Sequence, residues 1–103
     1  MAKYRLSNAA KEDLIRIHQY GVKKFGIVQA DKYFDTFFEY FEIIAQTPFS
    51  FEAVDYIKDG YRRCPCDSDS ICYRIKDDTV EIMGVIGMQG INSIFFNSGL
   101  TYM

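Results

Sequence analysis

Tryptophan is missing from this 103-residue chain, and so is any excess of positive charge. Its 12 lysines and arginines are outnumbered by 14 aspartates and glutamates, which leaves a formal net charge of −2. Proteins that bind nucleic acid through their overall electrostatics are strongly basic, so that class is excluded unless a local basic patch exists. The length leaves room for one domain, and no internal repeat or linker divides it.

Signals for secretion and for a disulfide framework are missing as well. Residues 1–7 contain no apolar run long enough for a signal peptide. The three cysteines are an odd number, which fits no closed set of disulfides. We therefore predict that the chain works in a reducing cytoplasm.

An alternative interpretation of the three cysteines is that they bind a metal ion. Cys64 and Cys66 share one side of a predicted strand, and Cys72 falls on a neighbouring strand. Zinc sites usually use Cys-x-x-Cys pairs and four ligands, and a fourth ligand is missing here unless Asp67 or Asp69 serves. We predict no metal or other cofactor, and interpret the cysteines as small buried or half-buried residues.

Two amphipathic helices are predicted in the first half of the chain. The first spans residues 9–25 with Ser7 or Asn8 as its N-cap, and the second spans residues 27–46. Gly26 tolerates the left-handed backbone that ends a helix, so this short turn implies an antiparallel hairpin. His18 lies beside the apolar stripe of the first helix, where a single histidine is usually structural.

The second helix is apolar over about half its circumference. We expect it to pack on the first helix and on a sheet or a partner, with some of its aromatic residues forming a groove for that partner. Tyrosine suits such a surface because it combines an apolar ring with a polar tip. The two stripes are Tyr33, Phe37, Tyr40, Ile44 and Phe34, Phe38, Phe41, Ala45; the predicted groove residues are Tyr33, Phe37 and Tyr40.

Strand patterns occur before and after the helices. A short strand is predicted at residues 3–7, and three more at 61–66, 70–76 and 79–86, with an irregular connector at 49–59. Asp77-Asp78 gives a tight turn, and Pro65 indicates an edge position or an early strand end. The predicted fold is α+β: an N-terminal strand, a two-helix antiparallel hairpin, then a three-stranded antiparallel meander packed on the hairpin.

The C-terminal end has no charged residue after Glu81. Residues 90–103 are predicted to be an uncharged tail rather than a domain, forming an extra strand or packing on the body. A membrane span is disfavoured because polar residues interrupt the segment and about 20 mainly apolar residues are needed. Ile94-Phe95-Phe96 is an alternative self-association segment.

The order of these elements and five local strings resemble the RelE/ParE toxin superfamily, and ParE more than RelE. The resemblance covers residues 2–89, so we assign 1–89 to a toxin domain. It is carried by residues 6–17, residues 20–26 with Gln29-Ala30, Gly60-Tyr61-Arg62-Arg63, Ile71-Cys72-Tyr73-Arg74-Ile75, and Val80-Glu81-Ile82 through Ile86-Gly87.

This resemblance implies a toxin of a bacterial toxin–antitoxin pair. Such a protein forms a hetero-oligomer with a small ParD-like antitoxin, and ParE-like members inhibit DNA gyrase. The RelE branch instead cleaves mRNA on the ribosome, which requires a cation for the phosphate and groups for proton transfer. A third possibility is a detoxified relative that only binds the antitoxin.

The residues expected for RNA cleavage are not found in the matching positions. Ser70 falls where the RelE branch has an arginine, Ile91 where it has a C-terminal arginine, and Phe95 where it has a tyrosine. We therefore predict no catalytic residues and no enzyme activity. Met88 also replaces the cation that ParE-like members usually carry after the last strand, which would weaken a gyrase contact made there.

A cluster of cations is predicted on adjacent strands. It is interpreted either as a solvated sheet face or as a positive surface that meets acidic groups of the antitoxin, since arginine pairs well with carboxylates. The cluster contains Arg62, Arg63, Arg74 and Lys76, with Lys58 nearby; the first three are the predicted antitoxin contacts on the sheet.

Overall fold

Two helices lie on one face of a five-stranded sheet. The computed structural model describes residues 3–87, so the predicted tail at 90–103 lies outside the described residues. The elements are β1 (Tyr4–Leu6), α1 (Asn8–Phe25), α2 (Ile27–Gln46), β2 (Glu52–Ala53), β3 (Tyr61–Cys66), β4 (Asp69–Lys76) and β5 (Thr79–Gly87). The strand order is β1-β5-β4-β3-β2.

The helix hairpin has the boundaries that the sequence predicted to within one residue. Ser7 caps α1, because its hydroxyl oxygen accepts a hydrogen bond from the Ala10 amide at 3.0 Å. Gly26 has φ +90° and donates its amide to the Val22 carbonyl, so it ends α1 just before α2 begins. The helices approach closely at Gly21, where a Cβ would lie 3.3 Å from the Cβ of Ala30.

The core lies between this hairpin and the sheet. Its largest fully buried side chains include Phe37, Phe41 and Tyr73, and burial of such a side chain contributes about 1.5–3 kcal/mol. β3, β4 and β5 form the predicted antiparallel meander, and the α+β fold class is confirmed. The other core residues are Ala10, Leu14, Ile44, Cys64, Cys66, Ile71, Val80, Ile82 and Val85.

A β-bulge in β5 changes the side-chain alternation of that strand. Tyr73 pairs with Ile82 and Cys72 pairs with Gly84, which leaves Met83 as the extra residue. The bulge lets Ile82 and Val85 both face the core, although they are three residues apart. The periodicity of the sequence did not predict it.

Asp13 of α1 holds the bulged edge of β5. Its Oδ2 accepts a hydrogen bond from the Val85 amide at 3.0 Å, and the Ser7 hydroxyl donates to the Met83 carbonyl at 3.2 Å. A Cβ at Gly84 would lie 3.2 Å from Asp13 Oδ2, so the glycine keeps this approach open. The start of α1 therefore supplies hydrogen-bonding partners for two backbone groups of β5 at and just after the bulge.

The connector at 49–59 is more ordered than the sequence predicted. It contains β2, whose two residues pair antiparallel with Arg62 and Arg63 of β3. The Tyr73 hydroxyl donates to the Pro48 carbonyl at 2.6 Å just before this segment. β2 ends short of Pro65, so the proline lies on an open stretch of β3, in accord with the predicted edge position.

The remaining strand pairings complete the sheet. β1 pairs in parallel with β5, from Tyr4 opposite Val80 to Leu6 opposite Ile82. The turn between β4 and β5 places Asp77 and Asp78 at φ +54° and +62°, which is the left-handed geometry expected for a two-residue hairpin.

Replacement of Asp13 by alanine is expected to lower the free energy of unfolding by about 1–3 kcal/mol, because the buried Val85 amide loses its acceptor. Urea unfolding followed by circular dichroism measures the change. Glu12→Ala, at the neighbouring exposed position, is the matched control and should stay within about 0.5 kcal/mol of the parent. Equal effects of the two substitutions would contradict the role assigned to Asp13.

Candidate partner-binding surfaces

A cleft of about 660 Å³ opens beside the helix hairpin. It lies between the second half of α1 and the first half of α2, and the β3–β4 turn and the end of β5 close its far side. Apolar rings form much of its wall, with charged groups around them. The lining residues are Arg16, Ile17, His18, Tyr20, Gly21, Phe25, Gln29, Ala30, Lys32, Tyr33, Phe34, Thr36, Asp67, Ser68, Asp69 and Gly87.

Tyr33 connects α2 to the sheet at the wall of this cleft. Its hydroxyl lies 2.5 Å from Asp69 Oδ2 and 3.1 Å from the Cys66 carbonyl oxygen, and it donates to these acceptors. Burial, followed by the hydrogen bond to Asp69, raises the pKa of Tyr33 above its usual value. The tyrosine is therefore a neutral donor that fixes one side of the cleft.

His18 links the two helices at the same cleft. Its Nε2 lies 2.8 Å from Asp31 Oδ1, and its ring packs edge-on against Phe34 with centroids 5.4 Å apart. These contacts agree with the structural role that the sequence indicated.

The tip of the hairpin exposes apolar side chains that the sequence analysis did not assign to a surface. Phe25 is 64% exposed and Tyr20 59% exposed, and both line the cleft. Ile27 and Val28 follow directly in α2 and are exposed as well. The available signal was Gly26: an apolar residue next to a helix-ending glycine lies at the tip of the hairpin, where the core does not reach.

The three predicted groove residues of α2 fall in different environments. Tyr33 lines the cleft, and Tyr40 is partly buried against the core. Phe37 is fully buried between helix and sheet, so the expectation that it faces a partner groove was wrong. The reason is geometric: the stripe that contains Phe37 packs on the sheet itself.

The predicted arginines occupy opposite faces of the sheet. Arg62 donates from Nη1 to the Phe51 carbonyl at 2.7 Å and lies 5.2 Å from the Phe49 ring centre, so it anchors the connector. Arg63 lies on the opposite face, next to Glu52, with a closest nitrogen–oxygen distance of 3.6 Å. The sequence grouped them because they are adjacent, but neighbouring residues of a strand point to opposite sides.

Arg74 belongs to a row of charges on the face opposite the helices. Its Nε donates to Glu81 Oε1 at 2.6 Å, and Arg5 of β1 donates to Glu81 Oε2 from the other side at 2.9 Å. Hydrogen bonds from Arg74 and Arg5 lower the pKa of Glu81. Arg5 was not among the predicted residues, because β1 joins β5 only through a long-range parallel pairing.

The cysteines do not come together on one face. Cys64 and Cys66 face the core, whereas Cys72 alternates with the core residues Ile71 and Tyr73 and so points to the other side of the sheet. Burial raises the pKa of Cys64 to about 11 and that of Cys66 to about 12. Within residues 3–87, no group of three or more His, Cys, Asp or Glu side chains is arranged to hold a metal ion.

A match to a protein-family model identifies the family of this chain. The model of the ParE toxin of the type II toxin–antitoxin system parDE matches residues 4–89. This chain belongs to the ParE toxin family. It is 36% identical over 86 residues to Toxin ParE1 of Caulobacter vibrioides, a match that covers 84% of this chain and 88% of that protein.

Two solved structures show the same fold as this ParE-family toxin. A chain of the chromosomal ParDE toxin–antitoxin system from P. aeruginosa superposes with a TM-score of 0.75 at 19% identity. A chain of the toxin–antitoxin complex RelBE2 from Mycobacterium tuberculosis superposes with a TM-score of 0.63 at 18% identity. Each match covers 84% of this chain and 96% of the other.

Ser70, the residue expected to stand in place of an arginine of the RelE branch, is fully buried. The other two expected positions, Ile91 and Phe95, and the divergent Met88 lie outside the described residues. Across residues 3–87, neither helix has the length and apolar character needed to cross a membrane.

Stability of the toxin is expected to fall as the pH rises above 9. In the unfolded chain Cys66 ionises near its usual pKa of 9.0, whereas burial in the folded chain raises that pKa to about 12. The contribution of the neutral Cys66 thiol to the free energy of unfolding is therefore complete below pH 9. It is lost between pH 9 and 12, at a rate of at most about 1.4 kcal/mol per pH unit for one thiol.

Urea unfolding from pH 7 to 11 in the presence of a reductant measures this dependence. Cys66→Val removes the thiol and should make the alkaline fall shallower than in the parent. Ile71→Val is the control, because it also trims a fully buried side chain but removes no titrating group. If the free energy of unfolding fell equally steeply with pH in all three proteins, the assignment to Cys66 would be refuted.

Proposed function

We propose that this chain is a non-enzymatic toxin that inhibits DNA gyrase and is neutralised by a small ParD-like antitoxin in the cytoplasm. Membership of the ParE family supports the gyrase target, because that is the activity the resemblance implies. The proposal that an antitoxin binds this chain rests on one observation: the cleft has an apolar wall and an exposed aromatic rim.

The cleft suits an amphipathic helix or strand of the antitoxin. Tyr20 and Phe25 expose large apolar area at its rim, and Tyr33 and Phe34 continue the apolar surface inward. Exposed aromatic side chains beside a groove are typical anchors of protein interfaces. The two structural neighbours belong to toxin–antitoxin systems, which is consistent with this partner.

At the positions where the RelE branch supplies groups for RNA cleavage, this chain has Ser70, Ile91 and Phe95, none of which carries a charge. Ser70 is also fully buried. An uncharged side chain offers no cation to stabilise a phosphate in a transition state. These residues support a toxin that acts by binding.

Purified, antitoxin-free protein is expected to inhibit supercoiling by DNA gyrase, or to trap gyrase-dependent DNA breaks. The same preparation should give no ribosome-dependent cuts in mRNA by primer extension. Folded protein that leaves gyrase unaffected would contradict the proposal. Ribosome-dependent cuts would select the RelE-like ribonuclease, and harmless expression combined with tight antitoxin binding would select the detoxified relative.

Phe25→Ser is expected to weaken antitoxin binding at least about fivefold, because it removes an anchor of more than about 1 kcal/mol at the cleft rim. The antitoxin would be taken from the adjoining reading frame, co-expressed and titrated by calorimetry. Tyr56→Ser is the matched control, since Tyr56 is 77% exposed and lies away from the cleft. Equal affinity of both variants would place the interface elsewhere.

A further inference from the structure

Three side chains on neighbouring strands form a fixed charged row on the face of the sheet opposite the helices. Arg5 of β1 and Arg74 of β4 are both in register with Glu81 of β5, which lies between them. Glu81 is 15% exposed and uses Oε2 for Arg5 and Oε1 for Arg74. The carboxylate therefore holds two guanidinium groups in place from opposite sides.

Each guanidinium keeps donors for a further partner. Arg5 contacts Glu81 through Nε and Nη2, and Arg74 through Nε. Among residues 3–87, no hydrogen bond or ion pair takes Nη1 of Arg5 or either Nη atom of Arg74. Both side chains remain well exposed, at 56% and 39%, so these donors are accessible from solvent.

The charge of the chain is distributed unevenly about this row. The exposed Lys76 is two residues after Arg74 in β4, so it lies on the same face. Four of the six acidic groups of the hairpin lie on α2 instead, where an exposed stripe of carboxylates accompanies a single lysine. That stripe is Asp31, Asp35, Glu39 and Glu42, and the lysine is Lys32.

We propose that the face formed by Arg5, Arg74 and Lys76, ordered by Glu81, binds an extended acidic peptide segment that lies along β4. Arg74 and Lys76 are separated by two strand positions, roughly 7 Å. Carboxylates on alternate residues of an extended chain have the same spacing, so each can meet one cation. Arg5 extends the positive surface across β5 to a third carboxylate.

A peptide fits this face better than a nucleic acid does. Glu81 lies at the centre of the row and repels a continuous line of phosphates, whereas separate carboxylates can bind on either side of it. The chain also has a net charge of −2, so long-range electrostatics do not attract a polyanion. The guanidinium ends that Glu81 leaves open present the paired donors that carboxylates accept.

This inference deepens the proposed function, since the antitoxin is the partner that would carry the acidic segment. It identifies a second contact surface, on the other side of the sheet from the helices and the cleft. The test below uses a synthetic peptide and no gyrase or antitoxin, so the two proposals can fail separately.

The probe is a fluorescein-labelled peptide of four Glu-Ser repeats, whose anisotropy is titrated with the full chain at low and at physiological ionic strength. The peptide is expected to bind at low ionic strength and to weaken as salt is added. Arg74→Gln should weaken binding about two- to fivefold, the upper part of the range for an exposed ion pair. Lys23→Gln, an equal loss of charge at an exposed position of α1, should leave binding unchanged.

Two further arms separate recognition of carboxylates from general attraction of anions. Arg74→Lys keeps the charge but not the forked donors, so its affinity should lie between those of the parent and Arg74→Gln. An eight-nucleotide single-stranded DNA should bind more weakly than the peptide. The proposal is overturned if the peptide fails to bind at low ionic strength, if the DNA binds as tightly, or if Arg74→Gln behaves like Lys23→Gln.

Discussion

The hydrogen bond from the Val85 amide to the Asp13 carboxylate ties the helical layer of this toxin to its sheet at the start of α1. It joins the first turns of α1 to β5, two residues after the bulge at Met83. Gly84 is required beside it, since a side chain there would crowd the carboxylate. The position of α1 then restricts the position of α2, because only one residue, Gly26, separates the two helices. The cleft beside the hairpin is a consequence of this arrangement.

Much of the fold follows from local sequence signals. Both helices were predicted from apolar periodicity with boundaries within one residue, because Ser7 and Gly26 are unambiguous caps. The turn at Asp77-Asp78 was predicted for a similar reason, since aspartate tolerates the left-handed backbone. The bulge at Met83 and the strand β2 were missed. Both depend on pairing with distant strands, and two residues of β2 are too few to show alternation.

The candidate surfaces were harder to predict than the fold. Phe37 and Tyr33 share one helical stripe, yet only Tyr33 reaches the cleft, because the sheet covers the middle of α2 and leaves its start open. Arg62 and Arg63 were grouped by proximity in sequence, but strand geometry separates them. Arg5 could not be associated with Arg74 before the parallel pairing of β1 with β5 was known. The periodicity of a sequence predicts which face of a helix or strand is apolar. It does not predict which other element or partner packs against that face.

The terminal strands of the sheet are very short, with three residues in β1 and two in β2. The stretch of β3 beyond β2 contains Pro65, which has no amide hydrogen to offer. A foreign chain that paired along β1 or β2 would thus find few main-chain groups there, and main-chain pairing is indifferent to sequence. Discrimination between antitoxins at these two edges must then reside in side chains. A few substitutions of surface side chains can therefore change which antitoxin is bound, while the fold stays unchanged.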